Sequence, residues 1–444
     1  MTTLRGAWRD RRTHRRVWAL AAPMVLSNLT SPLVALTDSA VVGHLPSAQP
    51  LGAVAVGSAL YGALVGVLGF LRMGTTGFAA QAAGAREGDR LRSLLAQALL
   101  AGLAIALLAG LTAQALLGPA LAVMDASPAL DELARVYVQT RLLGLPAGLA
   151  SYVLIGWFLG VRRARAPLAM LLATNLGNVA LDLWFVLGLD WGVAGAARAS
   201  VIAEWAGLAV GLCLLPAALR RHPGRLLAHR LWCGADWRRL LGVNRDIFLR
   251  SLMLQAVFVL VAMQGARLGD TTVAANALLL NGLALTAYAL DALAHALEAL
   301  CGQAIGARDR PALQRALLVA GGWAVLGSLA FSAFFGLAGE TYVGWLTDLP
   351  EVREQAARAL PYLALLPPVA VWSYLLDGLF IAATRAREMR DAMARALAVA
   401  LPLGVMAQTL GNHGLWRALL AFMALRGLFL GLAARRLWRA QAWA

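Results

Sequence analysis

Lysine is absent from this 444-residue chain, so its 39 basic side chains are all arginines. Acid is scarce as well, with 23 Asp and Glu, and charged residues of both signs make up only 14% of the sequence. Soluble domains carry about 25%, so a water-soluble fold of this length lacks the polar surface to cover itself. The three cysteines, Cys213, Cys233 and Cys301, are far apart and form no CxxC pair, which excludes a disulfide framework or thiolate metal site. The apolar runs do not alternate in the segments of about ten residues that a membrane β-barrel requires. Nucleophile–base pairs, metal-ligand spacings and phosphate loops are missing too, so no enzymatic activity and no cofactor are expected. The net charge of +16 would suggest nucleic acid in a soluble protein, but here the arginines gather between apolar runs, and no nucleic-acid partner is expected.

What is present is hydrophobic length. The chain is 60% hydrophobic with a mean hydropathy of +0.68, and many runs approach the roughly 20 residues that cross a bilayer as helix. Twelve spans can be drawn, at 17–42, 52–78, 93–117, 135–160, 167–189, 193–219, 246–268, 274–303, 313–337, 356–382, 391–410 and 414–434. The Arg-rich N-terminal arm precedes a run without a small-residue cleavage site, so it reads as a first span rather than a cleaved signal. Arginines concentrate in the arm, the even-numbered loops (Arg86, Arg162, Arg220, Arg308 and Arg385 with their neighbours) and the tail. The positive-inside rule then puts both termini in the cytoplasm, which an even number of spans satisfies. Topology accounts for these arginines, with an anionic-lipid surface as the less specific alternative. Segment 220–245 is the longest cytoplasmic loop and contains an expected interfacial stretch with Trp232 and Trp237.

The chain is also duplicated. Residues 151–165, SYVLIGWFLGVRRAR, recur at 373–387 as SYLLDGLFIAATRAR with eight of fifteen positions identical. The same offset of 222 aligns Gln81, Gly84, Ala85 and Arg86 with Gln303, Gly306, Ala307 and Arg308. The expected fold is an all-α membrane protein with two six-helix lobes, 1–219 and 246–444, joined by a cytoplasmic linker at 220–245. Two similar bundles that can rock about a shared cavity point to a transporter.

Acidic side chains inside such spans cost about 2.5–3.5 kcal/mol each on insertion scales and ask for a reason. Asp38 lies in the first span, beyond Thr30 and Pro32; Asp182 lies in the fifth. Asn175, Asn178 and Asp182 stand at 0, +3 and +7, one stripe of a helix, and Ser200 of the sixth span can add a hydroxyl. A carboxylate flanked by amides can hold a proton or contribute to a Na⁺ site; the alternative is a satisfied structural polar group. Shifted by 222, Asp182 becomes Gly404 and Asp38 becomes Leu260, so this chemistry belongs to one lobe. The second copy carries its own stripe, Asp291, His295 and Glu298, at 0, +4 and +7. It reads either as a proton relay or as a hydrogen-bonded cluster near a helix end, paired with Arg250 or Arg72. Asp377 is a further candidate for the cavity wall. Pro23 and Pro32 can bend the first helix next to Asp38, or serve packing alone.

Three stretches, PMVLSNLTSPLVALTDSAVVGHL, LGAVAVGSALYGALVGVLGFLRMGTTGFAAQAAGA and NLGNVALDLWFVLGLDWGVAGAARAS, resemble the multidrug and toxic compound extrusion (MATE) family, and most of all its DinF-type branch. AANALLLNGLALTAYALDALAHALEALCGQAIGA matches the same branch. The resemblance covers nearly the whole chain. It implies a bacterial inner-membrane exporter with two six-helix lobes and a central cleft, expelling amphipathic, often cationic compounds against H⁺ or Na⁺. It also implies Asp38 as the coupling carboxylate, Asn178, Asp182 and Ser200 (in place of a more usual Thr) as the cation site, and Pro23 as the bending residue. The other MATE branch keeps its coupling acids in the seventh, eighth and tenth helices; the seventh span here has none. The expected partners are drug-like small molecules and the lipid bilayer, with the chain acting as a monomer and H⁺ or Na⁺ as its coupling ion. The rival expectation is a lipid-linked oligosaccharide flippase, whose pyrophosphate substrate calls for a cationic cavity that the few in-span arginines (Arg72, Arg141, Arg198, Arg250) supply poorly.

Overall fold

Helical backbone runs through each of the expected apolar segments, and no strand occurs among the described residues. The computed structural model describes residue 6 and residues 8–43, 48–123 and 127–443; within these, the side chains of 31–36, 38–40, 42–43, 48 and 123 are outside the description. The helices are α1 (Arg11–Gly43), α2 (Ala48–Leu68), α3 (Phe70–Gly84), α4 (Gly88–Val123), α5 (Pro128–Leu142), α6 (Leu145–Gly160), α7 (Arg165–Asp182) and α8 (Gly192–Leu219). They continue with the short α9 (Ala228–Leu231), α10 (Gly234–Ala266), α11 (Asp270–Gly306), α12 (Arg310–Leu346), α13 (Pro350–Ala382), α14 (Ala386–Met406) and α15 (Gly411–Arg439). Nine helices among the described residues are long and apolar enough to cross a bilayer, or ten if α5 and α6, bent by 46°, are one span. That measure does not separate all twelve segments drawn from the sequence.

The outer faces explain why the chain needs a bilayer. Leu103, Leu107 and Leu111 form an i, i+4 stripe along α4 and are 57%, 64% and 62% exposed. Such a ladder of bare leucines is stable against lipid tails and costly against water.

The chain divides into two compact units, one of residues 23–240 and one of residues 1–22 with 241–444. The expected lobes began at residue 1 and at residue 246. In the structure the arm and the start of α1 belong with the second half of the chain, and the linker through Leu240 belongs with the first. The linker is also shorter as a loop than expected, because α10 already begins at Gly234.

Within the first unit α3 packs on α6 and α7 on α8; within the second α11 packs on α13 and α14 on α15. Two of these contacts share one device at repeat-related positions. Gly156 of α6 lies against the backbone carbonyl of Arg72, where any Cβ would collide. Its counterpart Gly378 of α13 lies over the carbonyl of Ala294, where a Cβ would sit at 3.0 Å, and 294 is 72 plus 222. Backbone meets backbone at both crossings, so glycine is required at the first and relieves a tight contact at the second.

The helix ends repeat as closely. Arg86, Arg162, Arg308 and Thr384 all adopt positive φ, at 58°, 57°, 54° and 54°, and they form two pairs 222 apart. Each closes a helix with the same two bonds. Arg86 N donates to Ala83 O and Glu87 N to Ala82 O; Arg308 N donates to Ile305 O and Asp309 N to Ala304 O. Arg162 and Arg163 repeat the pattern on Leu159 and Phe158, as Thr384 and Arg385 do on Ile381 and Phe380. This left-handed closure satisfies carbonyls that a helix end leaves open. It survives here without the glycine that normally occupies the turn, so the duplication is visible in backbone geometry where side chains have diverged.

Candidate functional site in the first unit

The stripe expected on α7 exists and faces inward. Asn175, Asn178 and Asp182 are 9%, 2% and 0% exposed. Asn178 Nδ2 donates to Ser200 Oγ at 3.1 Å, so α7 and α8 are tied at the point where the sequence put the added hydroxyl. The Asn178 Oδ1 is buried with no hydrogen-bond partner among the described residues, an acceptor left open toward whatever enters. Gly207 of α8 lets this contact close, since a Cβ there would strike the Thr174 hydroxyl.

Asn175 connects the stripe to the first helix. Its Nδ2 donates to Thr30 Oγ1 at 2.6 Å, Thr30 Oγ1 donates to Ser27 O at 2.7 Å, and Ser27 Oγ donates to Pro23 O at 2.8 Å. A proline removes one backbone bond of the helix. A serine that bonds back to the carbonyl four residues earlier further loosens that turn. The chain Asn175–Thr30–Ser27–Pro23 therefore joins the polar stripe to the residue expected to bend α1. Ser27 was not singled out in the sequence; a serine four residues after a helical proline is the signal that marks it. Asp38, the first-span carboxylate, has its backbone in α1, but its side chain lies outside the described residues.

Asp182 is the last residue of α7, and the helix continues as a π-helical turn, Leu183–Gly188. A π turn widens the helix by one residue per hydrogen-bond ring and often marks a functional position. A fully buried carboxylate at such a turn, beside two amides and a hydroxyl, has the donor set for one proton or one small hard cation, since oxygen ligands suit Na⁺ as they suit other hard cations. Among the described residues no group of three or more His, Cys, Asp or Glu is arranged for a metal ion.

A second buried polar group in this unit was missed. Arg141 and Glu204 pair at 2.9 Å across α5 and α8, and the Arg141 guanidinium lies 4.2 Å from the centre of the Tyr61 ring. Gly144 makes room for the Glu204 carboxylate, which a Cβ there would strike. Both charges sit in apolar runs, and that cost was the available signal.

In the second unit His295 and Glu298 are buried, at 8% and 2% exposed, on the inner face of α11 with Asp291 one turn earlier. Arg72, offered as their partner, belongs to the other unit. Arg250, the alternative partner, donates to Asp377 Oδ2, which also accepts from Arg426, and it interacts electrostatically with Asp291 as well. Asp377 is thus held between two guanidiniums from α10 and α15. Arg426, 1% exposed, was not among the expected in-span arginines.

Comparison with known proteins agrees with this architecture. The MatE family model matches the chain twice, over residues 23–184 and 247–407, about one repeat length apart. DNA damage-inducible protein F of Escherichia coli (strain K12) is 46% identical over 97% of this chain and 94% of its own length. A protein named probable multidrug resistance protein NorM from Xanthomonas axonopodis pv. citri (strain 306) is 27% identical over 95% and 94%. Among solved structures, an outward-facing multidrug resistance MATE family transporter of the MOP superfamily superposes with a TM-score of 0.86 at 20% identity, over 97% of each chain. A MOP superfamily transporter from Pyrococcus furiosus, described as having a binding pocket of reverse polarity, gives 0.85 at 20% identity over 98% of each. At that identity the two structures speak for the fold. A helical multi-pass membrane chain, doubled at an offset of 222, matched twice by one model and nearly half identical to DNA damage-inducible protein F along its whole length, belongs to the MatE family and to its DinF-type branch.

Proposed function

We propose that this chain is a secondary active multidrug efflux transporter of the bacterial inner membrane, exchanging amphipathic and cationic organic compounds for H⁺ or Na⁺. The observation that carries the reading is the buried Asp182–Asn178–Ser200 group, linked through Asn175 to the hydroxyl chain that ends at Pro23. Family membership supplies the transport context, and the printed names of the relatives supply the substrate class.

In this reading the ion enters from outside and binds at Asp38 and Asp182, with Asn178 and Ser200 completing its surroundings. Charge neutralised on the carboxylates weakens the polar contacts of α7, the change passes along Thr30 and Ser27, and α1 bends at Pro23. Substrate is displaced outward, and the ion is released inward as the lobe returns. One elementary charge crossing 100 mV supplies about 2.3 kcal/mol, a concentration ratio of roughly fiftyfold when the substrate itself moves no net charge. Both termini are placed in the cytoplasm by the arginine pattern, and one chain acts alone.

The flippase alternative requires open cationic groups for a pyrophosphate. Arg250 and Arg426 are both bonded to Asp377, Arg141 is bonded to Glu204, and Arg198 lies over the Trp191 ring at 5.2 Å, which favours drug export.

Everted vesicles test the proposal. Substrate added to vesicles with the parent chain is expected to discharge an imposed pH or Na⁺ gradient, and Asp38→Asn and Asp182→Asn are expected to abolish that response. A variant at either position that discharges the gradient as the parent does overturns the coupling scheme. Replacing the pH gradient by a Na⁺ gradient in proteoliposomes assigns the ion.

A further inference from the structure

The second unit contains a cavity of about 310 Å³, bounded by α10, α14 and α15. Each helix turns one periodic face to it: Val257, Leu260/Val261 and Gln264 on α10, Leu397, Ala400 and Gly404 on α14, and Leu415, Ala418 and Phe422 on α15. Spacings of three and four put such residues on one side of each helix. The volume falls within the range of small-molecule sites.

The polar members are not scattered. Gln264 lies in the last turn of α10, Arg267 just past its end and Gln408 just past α14, so all three gather at one mouth while the body of the cavity is Leu, Val, Ala and Phe. Other arginines at this end of the unit are already engaged. Arg353 pairs with Asp348, Arg358 with Glu354, and Arg417 donates to the Tyr362 hydroxyl. Arg267 makes no hydrogen bond or ion pair among the described residues.

Gly404 keeps the cavity open from the α14 side. A Cβ there meets only Ala418 Cβ at 3.6 Å, an ordinary contact, so the small residue is not demanded by helix packing. A larger side chain would project into the space instead.

Resting on the efflux reading above, we propose that this cavity is a substrate subsite for amphipathic compounds that carry a carboxylate. The ring system enters among Val257, Ala400, Gly404 and Phe422, and the acid group is held by the Arg267 guanidinium. Guanidinium and carboxylate match as a two-bond fork, and the two glutamines supply amide donors beside it. Binding energy comes mainly from the apolar body, and the fork discriminates acid from neutral analogue. The exported set then includes aryl and polycyclic acids and zwitterions beside cations.

1-Pyrenebutyrate and its methyl ester test this, since they share an apolar body and differ in the charged group. Energy transfer from protein tryptophan to pyrene is read with the full chain in phosphatidylcholine nanodiscs. The parent is expected to bind the acid about tenfold more tightly than the ester, one good charged contact's worth. Arg267→Gln is expected to equalise the two. Gly404→Leu is expected to weaken both by tenfold or more, and Ala418→Leu reads the same volume from α15 if the first variant does not fold. Unchanged binding in the folded cavity variants, or an acid preference that survives Arg267→Gln, overturns the proposal. So does loss of binding in proportion to added phosphatidylglycerol, which would make the cavity a lipid site. Asp182→Asn separates this from the efflux reading: it is expected to leave pyrenebutyrate binding within twofold of the parent while gradient discharge is lost. If ions remain coupled and the cavity variants do nothing, only the subsite fails.

Discussion

At residues 175, 178, 182 and 200 the first copy places Asn, Asn, Asp and Ser, all buried, with Asn178 bonded to Ser200 and Asn175 to Thr30. At the positions 222 further on the second copy places Leu397, Ala400, Gly404 and Phe422, and all four line the apolar cavity. The backbone irregularity is shared: a π-helical turn follows Asp182, and a 3₁₀ turn, Ala407–Leu410, follows the matching stretch of α14. One scaffold thus supports a buried polar group in one copy and an apolar cavity in the other. A second difference runs alongside it. Glu204 and Arg426 are repeat partners of opposite charge. The first is bonded to an arginine and the second to an aspartate, near the equivalent tyrosines Tyr152 and Tyr374. The lesson is that the repeat conserves one end of a buried ion pair and lets its sign invert, while the partners come from unrelated positions, since Arg141 matches Leu363 and Asp377 matches Ile155. A buried charge must be compensated locally, but either sign satisfies that requirement.

The comparison can be broken most sharply at the buried polar group. Asp182→Asn is expected to lower ion-driven efflux by about a hundredfold, toward the upper end of ordinary coupling energies. Gly404→Asp in the same chain is expected not to restore it, because Leu397 and Phe422 give that carboxylate no amide or hydroxyl. Efflux rates in proteoliposomes under a fixed gradient decide the point. Recovery by the double variant would show that the two copies are interchangeable.

The inverted ion pairs come next. Asp377→Asn leaves two buried guanidiniums facing each other and is expected to destabilise the fold by about 3–5 kcal/mol. Adding Arg250→Met and Arg426→Met to Asp377→Leu is expected to recover most of that loss, measured by thermal unfolding in detergent. Glu204→Gln, which strands only Arg141, is expected to cost less than Asp377→Asn. The reverse order would mean that the two pairs are not equivalent supports.

The left-handed helix ends offer a finer comparison. Glycine at any of the four is expected to stabilise by about 1 kcal/mol, the cost of holding an L side chain in that region. Thr384→Gly should gain more than Arg162→Gly, because a β-branched side chain fits the conformation worst. Equal gains would remove the side-chain explanation.

The smallest expected effect lies in the loop after α8. Burial, and then the nearby Arg163, Arg162 and Arg221, hold the His222 imidazole below its ordinary range. The folded loop therefore favours the neutral ring. Its stability is full above the ordinary histidine value near 6.5 and is lost as pH falls through the depressed folded value, where the opened loop has already taken up the proton. Proteolysis at residues 220–233 is expected to accelerate modestly from pH 7.5 to 5.5 in the parent and to be flat in His222→Gln.

Much of the fold was legible because lipid makes simple demands. Long apolar runs had to be helices, and the SYVLIGWFLGVRRAR repeat exposed the duplication before any coordinates. The α7 stripe was legible for the same reason, since Asn175, Asn178 and Asp182 share a helix face whatever surrounds them. Pairings across the chain were not. Arg141 and Glu204 are 63 residues apart, and Asp377 and Arg426 are 49 apart; no local pattern announces which buried charge will meet which. Applying the repeat offset to Glu204 would have pointed to Arg426. The division of the chain at Pro23 was illegible because it falls inside the continuous helix Arg11–Gly43, and the early start of α10 at Gly234 because a polar, Arg-rich stretch reads equally as loop.

The twin left-handed closures at Arg86/Arg308 and Arg162/Thr384 carry a historical consequence. A half-length progenitor encoded one residue wherever the present chain has two, so aspartate and glycine could not have coexisted at the position now numbered 182 and 404. Division of labour between ion chemistry and an oily recess therefore arose after the half-length sequence was duplicated, on helix ends that both copies kept.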